Sequence, residues 1–154
     1  MSLKEGMKAP TFKEQADYLG QWIVLYFYPK DDTPGCTREA CGFQDLSKTF
    51  HEHGAVILGV SRDDHDSHQD FKKKYKLSFP LLSDPNLSLH KAYGAWGEKT
   101  SYGKTSMGVI RSTYLIDPKG HIAKIWPNVK VDGHVEKVLE AIKNAEGGTR
   151  TRTR

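Results

Sequence analysis

Two cysteines, Cys36 and Cys41, are the residues of this chain whose type and spacing could do redox chemistry. Cys36 follows an apolar run at residues 22–28, and the apolar residues after it recur at helical spacing, which places it in the first turn of a predicted helix. Thr33 is a natural N-cap, and Pro34 suits the first helical position. Unpaired N–H groups and the dipole favour negative charge at a helix N-terminus, so a thiol there is pushed toward the nucleophilic thiolate. The sequence therefore predicts that Cys36 is a nucleophile.

Cys41 lies on the same predicted helix, five residues beyond Cys36. Five residues along an α-helix give about 7.5 Å of rise and about 140° of rotation, which separates the two Cα atoms by roughly 8–9 Å. A disulfide needs Cα atoms less than about 7 Å apart. A disulfide between these cysteines therefore requires the helix to unwind locally, and Gly35 and Gly42 lower the cost of unwinding.

Apolar periodicity predicts the elements that must position these cysteines. Strands are predicted at residues 22–28, 55–61, 79–82, 109–116 and 121–126. Helices are predicted within residues 36–54, 66–76, 84–93 and 135–142. Residues 95–107 are predicted to form a long loop. This order indicates an α/β fold, in which a sheet with a parallel core and an antiparallel edge has helices on both faces.

Length and charge limit the class of protein. The 154 residues predict one domain over residues 1–146, followed by a flexible basic tail over residues 147–154. Three arginines in that tail supply most of the net charge of +4, so the charge does not indicate a nucleic-acid surface. Two cysteines are too few for a disulfide scaffold, and no segment has the apolar length of a signal peptide or a membrane span. We therefore expect no nucleic-acid or membrane partner, and a reducing, cytoplasmic location.

The spacing Pro29-x-x-x-Thr33-x-x-Cys36 resembles the active-site motif of the peroxiredoxins. With Cys41 five residues later, the segment is similar to the subfamily called peroxiredoxin Q or bacterioferritin comigratory protein. A second block at residues 102–104 and 108–117, which contains Arg111, supports the resemblance, and the similarity extends from residue 9 to about residue 145. The resemblance implies a thioredoxin-like fold with a central mixed sheet flanked by helices, and the predicted order of elements is compatible with it.

The resemblance also implies a function, that of a thiol-dependent peroxidase that reduces hydrogen peroxide and organic hydroperoxides without haem, flavin or metal. Cys36 would be the peroxidatic cysteine, which attacks the O–O bond and becomes a sulfenic acid. Arg111 would hold the thiolate and stabilise the leaving oxygen. Cys41 would resolve the sulfenic acid as an intramolecular disulfide, and a thioredoxin-type dithiol reductant would then reduce that disulfide. Because resolution can occur within one chain, the resemblance favours a monomer.

Three further residues have a catalytic and an ordinary interpretation. Thr33 could cap the helix through its oxygen while its hydroxyl donates to the peroxide, or it could be an N-cap alone. Pro29 could shield the thiolate from water, or it could simply end the strand. Glu39, one turn after Cys36, could brace Arg111 through a carboxylate–guanidinium pair, or it could be a first-turn acid that favours the helix dipole.

Other functions remain open on the sequence. A thiol–disulfide oxidoreductase on the same fold usually carries C-x-x-C, which this chain lacks. A redox-sensing or holdase-like binding protein would be oxidised once and turn over slowly, so peroxide consumption at catalytic rates separates it from a peroxidase. His51-x-His53 and His65-x-x-His68 lack the further ligands of a metal site and are predicted to be solvated helix ends.

The chain is markedly shorter than related sequences between residues 12 and 17, where relatives form an N-terminal hairpin. Either the shortening is real, natural or engineered, or residues are missing, and we predict a break in the chain between Phe12 and Asp17.

Overall fold

The computed structural model describes residues 3–153, and the side chains of all of these except residue 101 and residues 146–153. Within this range the chain forms a 3₁₀ helix (Lys13–Tyr18), seven strands and five α-helices. The strands are β1 (Trp22–Phe27), β2 (Ala55–Ser61), β3 (Leu81–Ser83), β4 (Trp96–Ser101), β5 (Lys104–Val109), β6 (Ser112–Ile116) and β7 (Ile122–Trp126). The helices are α1 (Pro34–Asp45), α2 (Ser47–Glu52), α3 (His65–Tyr75), α4 (Ser88–Tyr93) and α5 (His134–Thr153).

A five-stranded sheet in the order β3-β2-β1-β6-β7 forms the centre of the molecule. β1 pairs in parallel with β2 and antiparallel with β6. β2 also pairs in parallel with β3, and β7 pairs antiparallel with β6. The predicted mixed sheet, with a parallel part and an antiparallel edge, is therefore confirmed.

Alternate residues of β1 belong to two hydrophobic clusters, one on each face of the sheet. Val24 and Tyr26 pack in a cluster with side chains from α1, α2, α3 and α5. Leu25 and Phe27 pack in the other cluster, together with Tyr93 of α4. Since every residue of β1 after the first is buried, the strand needs apolar residues on both faces, which explains its continuous apolar run.

Gly59 of β2 faces crowded side chains of the neighbouring strands. A Cβ at Gly59 would lie 2.9 Å from Cδ2 of Leu81 and 3.0 Å from the hydroxyl of Tyr26. We expect Gly59→Ala to lower the free energy of unfolding by about 1–3 kcal/mol, the usual cost of overpacking a core. Urea unfolding of the reduced protein measures it. Gly108→Ala is the matched control, because its Cβ would meet the flexible side chain of Lys99; equal stability of the two variants would contradict the prediction.

Three predicted elements differ from the structure. The helix predicted over residues 36–54 is two helices, because α1 ends at Asp45 and α2 begins at Ser47. The loop predicted over residues 95–107 is wrong, since β4 and β5 form a separate antiparallel hairpin there. The strand predicted over residues 109–116 is interrupted, and Arg111 lies between β5 and β6 rather than within a strand.

The structure differs from the prediction at both ends of the chain. The predicted break between residues 12 and 17 is wrong: the 3₁₀ helix crosses this stretch, and the N–H of Gln15 donates to the carbonyl of Phe12 at 3.1 Å. At the other end, α5 continues to Thr153, through the glycine pair where a flexible break is predicted. The side chains of residues 146–153 and all of residue 154 lie outside the described part, and the flexibility of the tail stays a prediction. No helix of the described residues is long and apolar enough to cross a membrane.

Candidate active site

The first turn of α1 places Cys36 beside the end of β1. Thr33 occupies the N-cap position with extended backbone, Pro34 is the first helical residue, and the carbonyl of Thr33 accepts the N–H of Thr37 at 2.8 Å. Cys36 is buried, with 1% of its surface exposed. The predicted position of this thiol, in the first turn of a helix that follows a buried strand, is confirmed.

Arg111 bridges Cys36 and Glu39 through its guanidinium group. Nη2 of Arg111 donates to Sγ of Cys36 at 3.2 Å, and Nη1 donates to Oε1 of Glu39 at 2.6 Å. Burial alone would lower the pKa of Arg111, but the negative charges of Glu39 and Cys36 raise it overall. The guanidinium therefore stays charged and offers Sγ of Cys36 a cationic partner. The expected pairing of Glu39 with Arg111 is present.

The register of the sheet brings Arg111 to this place. Ser112, the first residue of β6, lies opposite Phe27, the last residue of β1. Arg111 therefore lies level with the loop that leads from β1 into α1. Its carbonyl accepts the N–H of Val129 at 2.7 Å, which fixes the backbone at this point between two strands.

Two glycines of α1 make room for close neighbours. A Cβ at Gly35 would lie 3.3 Å from Nη2 of Arg111, and a Cβ at Gly42 would lie 3.1 Å from Cγ2 of Val135 in α5. The sequence interpretation assigned these glycines to helix unwinding only. The structure shows that they also let the guanidinium and α5 pack closely against α1.

Glu39 is a buried acid with an incompletely satisfied carboxyl group. Its side chain is fully buried, and Oε2 has no hydrogen-bond partner among the described residues. Burial raises the pKa of Glu39 to about 7, although Arg111 pulls it down. Because the pKa is higher in the folded helix than in solvent, the folded helix is favoured at low pH. Exposure of Glu39 therefore becomes easier as the pH rises through about 7.

Thr33 and Pro29 take positions that the sequence predicts, but the side chain of Thr33 is used differently. Its Oγ1 donates to the carbonyl of Lys30 at 2.9 Å and accepts no helix N–H, so the predicted side-chain cap is wrong. The bond to Lys30 orients Oγ1 toward the loop before the helix, so its lone pairs do not accept the first-turn N–H groups. Pro29 follows β1 and is half-buried.

Cys41 lies within the unbroken helix α1, five residues from Cys36, and both thiols are free. The side chain of Cys41 is partly exposed. Burial raises the pKa of Cys41, and the nearby carboxylate of Asp45 raises it further, so little of this thiol is ionised at neutral pH. The structure represents the dithiol state in which an intact helix keeps the two cysteines apart, as predicted.

The sequence interpretation missed two buried acid–histidine pairs. His68, predicted to be a solvated helix end, is 1% exposed and lies 2.7 Å from the carboxylate of Asp31. His90 is fully buried and lies 2.7 Å from Asp84. His68 and Asp31 are 37 residues apart, so no local pattern reveals the pair. The described residues contain no group of three or more histidines, cysteines or acids arranged to hold a metal ion.

Comparison with known proteins places this geometry in a family. Residues 6–125 match the AhpC/TSA family. The putative peroxiredoxin bcp of Coxiella burnetii is 47% identical over 148 residues, which cover 90% of this chain and 98% of that protein. Peroxiredoxin Bcp of Bacillus subtilis is 45% identical over 153 residues, which cover 94% of this chain and 98% of that protein.

Solved structures agree with this assignment. Peroxiredoxin Q of Xanthomonas campestris superposes with a TM-score of 0.80 at 46% identity, covering 84% of this chain and 82% of that one. The bacterioferritin comigratory protein of the same organism, described for its alkyl peroxide reduction activity, gives a TM-score of 0.84 at 39% identity, covering 92% of this chain and 99% of that one. The thioredoxin-like fold is therefore confirmed. On these likenesses, the chain belongs to the AhpC/TSA family, and within it to the peroxiredoxins of the Bcp or peroxiredoxin Q group.

Proposed function

We propose that Cys36 is the peroxidatic cysteine of this thiol-dependent peroxidase, and that it reduces hydrogen peroxide and organic hydroperoxides. The observation that carries the proposal is the 3.2 Å contact between Nη2 of Arg111 and Sγ of Cys36 at the start of α1. A thiolate held by a guanidinium and a helix N-terminus is activated as a nucleophile. The relative described for alkyl peroxide reduction supports organic hydroperoxides as substrates.

In the oxidation step, the thiolate of Cys36 attacks the terminal oxygen of the hydroperoxide. An S–O bond forms, the O–O bond breaks, and the leaving oxygen takes a proton to give water or an alcohol, while Cys36 becomes a sulfenic acid. Arg111 stabilises the negative charge that develops on the leaving oxygen. Thr33 donates its hydroxyl to the peroxide after releasing the carbonyl of Lys30, and Pro29 shields the thiolate from water.

In the resolving step, the sulfur of Cys41 attacks the sulfenic sulfur of Cys36. A disulfide forms within the chain and water leaves. A dithiol reductant of the thioredoxin type then reduces the disulfide by thiol–disulfide exchange, which regenerates both thiols. This scheme needs one chain only, so we propose that the protein acts as a monomer, in the reducing environment of the cytoplasm.

The test is continuous peroxide consumption coupled to a thioredoxin system, with Cys36→Ser as the blank. The wild-type protein should consume many equivalents of peroxide per protein, and the blank none above background. A single equivalent consumed, followed by slow recovery, would instead indicate a redox sensor or holdase. Reduction of a disulfide substrate without peroxide consumption would indicate a thiol–disulfide oxidoreductase.

A further inference from the structure

A buried polar cluster holds the segment between β1 and α1. The carboxylate of Asp31 accepts hydrogen bonds from the hydroxyl of Tyr28 at 2.5 Å and from the hydroxyl of Ser67 at 2.8 Å, and it lies 2.7 Å from Nδ1 of His68. The backbone N–H of Asp31 donates to Oδ2 of Asp63 at 2.8 Å. Asp31 is 7% exposed, so these protein groups supply the partners that water supplies at a surface.

The ring of His68 lies between two hydrogen-bond acceptors. Nδ1 faces the carboxylate of Asp31, and Nε2 lies 3.1 Å from the carbonyl of Leu82 in β3. Both ring nitrogens of His68 therefore have a hydrogen-bonding partner inside the protein. Burial alone would raise the pKa of Asp31, but hydrogen bonds from His68, Tyr28 and Ser67 lower it overall, so the carboxylate is charged. The pair therefore ties the loop to α3 and β3 at once.

A second set of hydrogen bonds holds the next residue, Asp32. Asp32 has a positive φ of 57°, a conformation that aspartate tolerates better than most residues. Its carboxylate accepts from Nζ of Lys74 and from the hydroxyl of Tyr75, both at 2.7 Å. Two consecutive aspartates thus attach the loop to both ends of α3. Thr33 follows directly as the N-cap of α1. The contacts of Asp31 and Asp32 with α3 therefore determine where α1 begins.

We propose that the Asp31–His68 pair positions α1, the helix that carries Cys36, by fixing its start while the remainder unwinds and refolds in each catalytic cycle. The inference rests on the proposed function, because it assigns a fixed end to the helix that carries Cys36 and Cys41. Asp31 and His68 are positioning residues, since neither contacts Cys36 in the structure. The pair favours the folded helix in which Arg111 meets Cys36, so it accelerates oxidation and slows resolution.

The chain contains a matched control of the same chemistry. The Asp84–His90 pair has the same separation of 2.7 Å between Oδ2 and Nδ1, and both residues are buried. It joins the end of β3 to α4 rather than the loop before Cys36. Nε2 of His90 has no hydrogen-bond partner among the described residues, so the neutral ring suffices there.

The experiment follows tryptophan fluorescence after reduced protein is mixed with hydrogen peroxide in a stopped-flow instrument. Oxidation of Cys36 gives a rate that depends on peroxide concentration, and resolution by Cys41 gives a rate that does not. Asp31→Asn and His68→Gln should slow oxidation by about 10- to 100-fold, the cost of misplacing a reacting group. The same variants should accelerate resolution, whereas Asp84→Asn should change neither rate by more than about twofold.

Amide hydrogen exchange of residues 31–37 in the reduced proteins gives a readout that needs no peroxide. Exchange there should be faster in Asp31→Asn and His68→Gln than in wild type, and unchanged in Asp84→Asn. If Asp31→Asn does not fold, Ser67→Ala removes one of the bonds to Asp31 and should shift both rates in the same directions by less.

The proposal is overturned if the rates of oxidation and resolution fall together in Asp31→Asn and His68→Gln, or if Asp84→Asn shows the same changes as these variants. Either result would show that the pair has a merely structural role. A wild-type protein without a peroxide-dependent phase would instead contradict the proposed function. The exchange data would then still decide whether the pair fixes the start of α1.

Discussion

Arg111→Ala is expected to slow the oxidation of Cys36 by about 10²–10³-fold, the usual cost of removing a preorganised donor from a developing negative charge. Nη2 of Arg111 contacts Sγ of Cys36 at 3.2 Å and the Arg111 side chain is 17% exposed, so water cannot replace the guanidinium fully. The second-order rate constant with hydrogen peroxide, measured by stopped-flow fluorescence at neutral pH, checks this. A loss below about tenfold would remove Arg111 from the reaction.

The control must separate lost catalysis from lost stability. Arg111→Ala leaves the carboxyl of Glu39 buried without the cation that lowers its pKa, so the acid is protonated at neutral pH and its unpaired polar group costs about 1–3 kcal/mol. Arg111→Ala combined with Glu39→Met removes that polar group, so the double variant should recover stability but not the oxidation rate. Arg111→Lys keeps the charge but cannot contact both partners with a planar fork, and should be intermediate.

Oxidation to the disulfide is expected to abolish amide protection across α1. An intact helix keeps the Cα atoms of Cys36 and Cys41 roughly 8–9 Å apart, beyond the reach of about 7 Å for a disulfide. Residues 37–42 should therefore exchange with an opening free energy near zero after oxidation, whereas the helix in the dithiol form opens at a cost of several kcal/mol, on the order of that of the core. Exchange mass spectrometry of both redox states measures it.

The central strand provides the internal reference for that experiment, and Cys41→Ser provides the control. β1 should keep its protection in both states, since its residues after Trp22 are buried and paired on both sides. Peroxide-treated Cys41→Ser should keep α1 protected, because no disulfide strains it. A disulfide between Cys36 and Cys41 with residues 37–42 still protected would contradict the unwinding mechanism.

Buried elements could be predicted from the sequence because their patterns are local. The predicted bounds of β2 match the structure, since Ala55–Ser61 is rich in apolar residues and buried on both faces. The β4–β5 hairpin was missed for the opposite reason. Four of the six residues of β5 are exposed, so neither apolar alternation nor an apolar run marks it. The available signal was Gly103, which in the structure forms a two-residue hairpin turn with Tyr102, both residues having positive φ.

The candidate site likewise contains residues that local sequence patterns predict and residues that they do not. The placement of Cys36 followed from Thr33 and Pro34 next to it in sequence. The pairing of Arg111 with Cys36 and Glu39 was expected only from the resemblance, because no local pattern brings together residues more than seventy positions apart. The Asp31–His68 pair had no local signal and no place in the expected motif. The pair can be recognised only in the folded structure, where the strands place α3 beside the loop before α1.

The sequence distance between Cys36 and Arg111 has a consequence for the newly made protein. The two residues are 75 positions apart and meet only after β6 has paired with β1. Contacts of such separation form slowly, and chains fold from the N-terminal end during synthesis. While the chain is still leaving the ribosome, its thiol lacks the guanidinium that we propose activates it. On that proposal, full reactivity toward peroxide is acquired only once β6 has paired with β1.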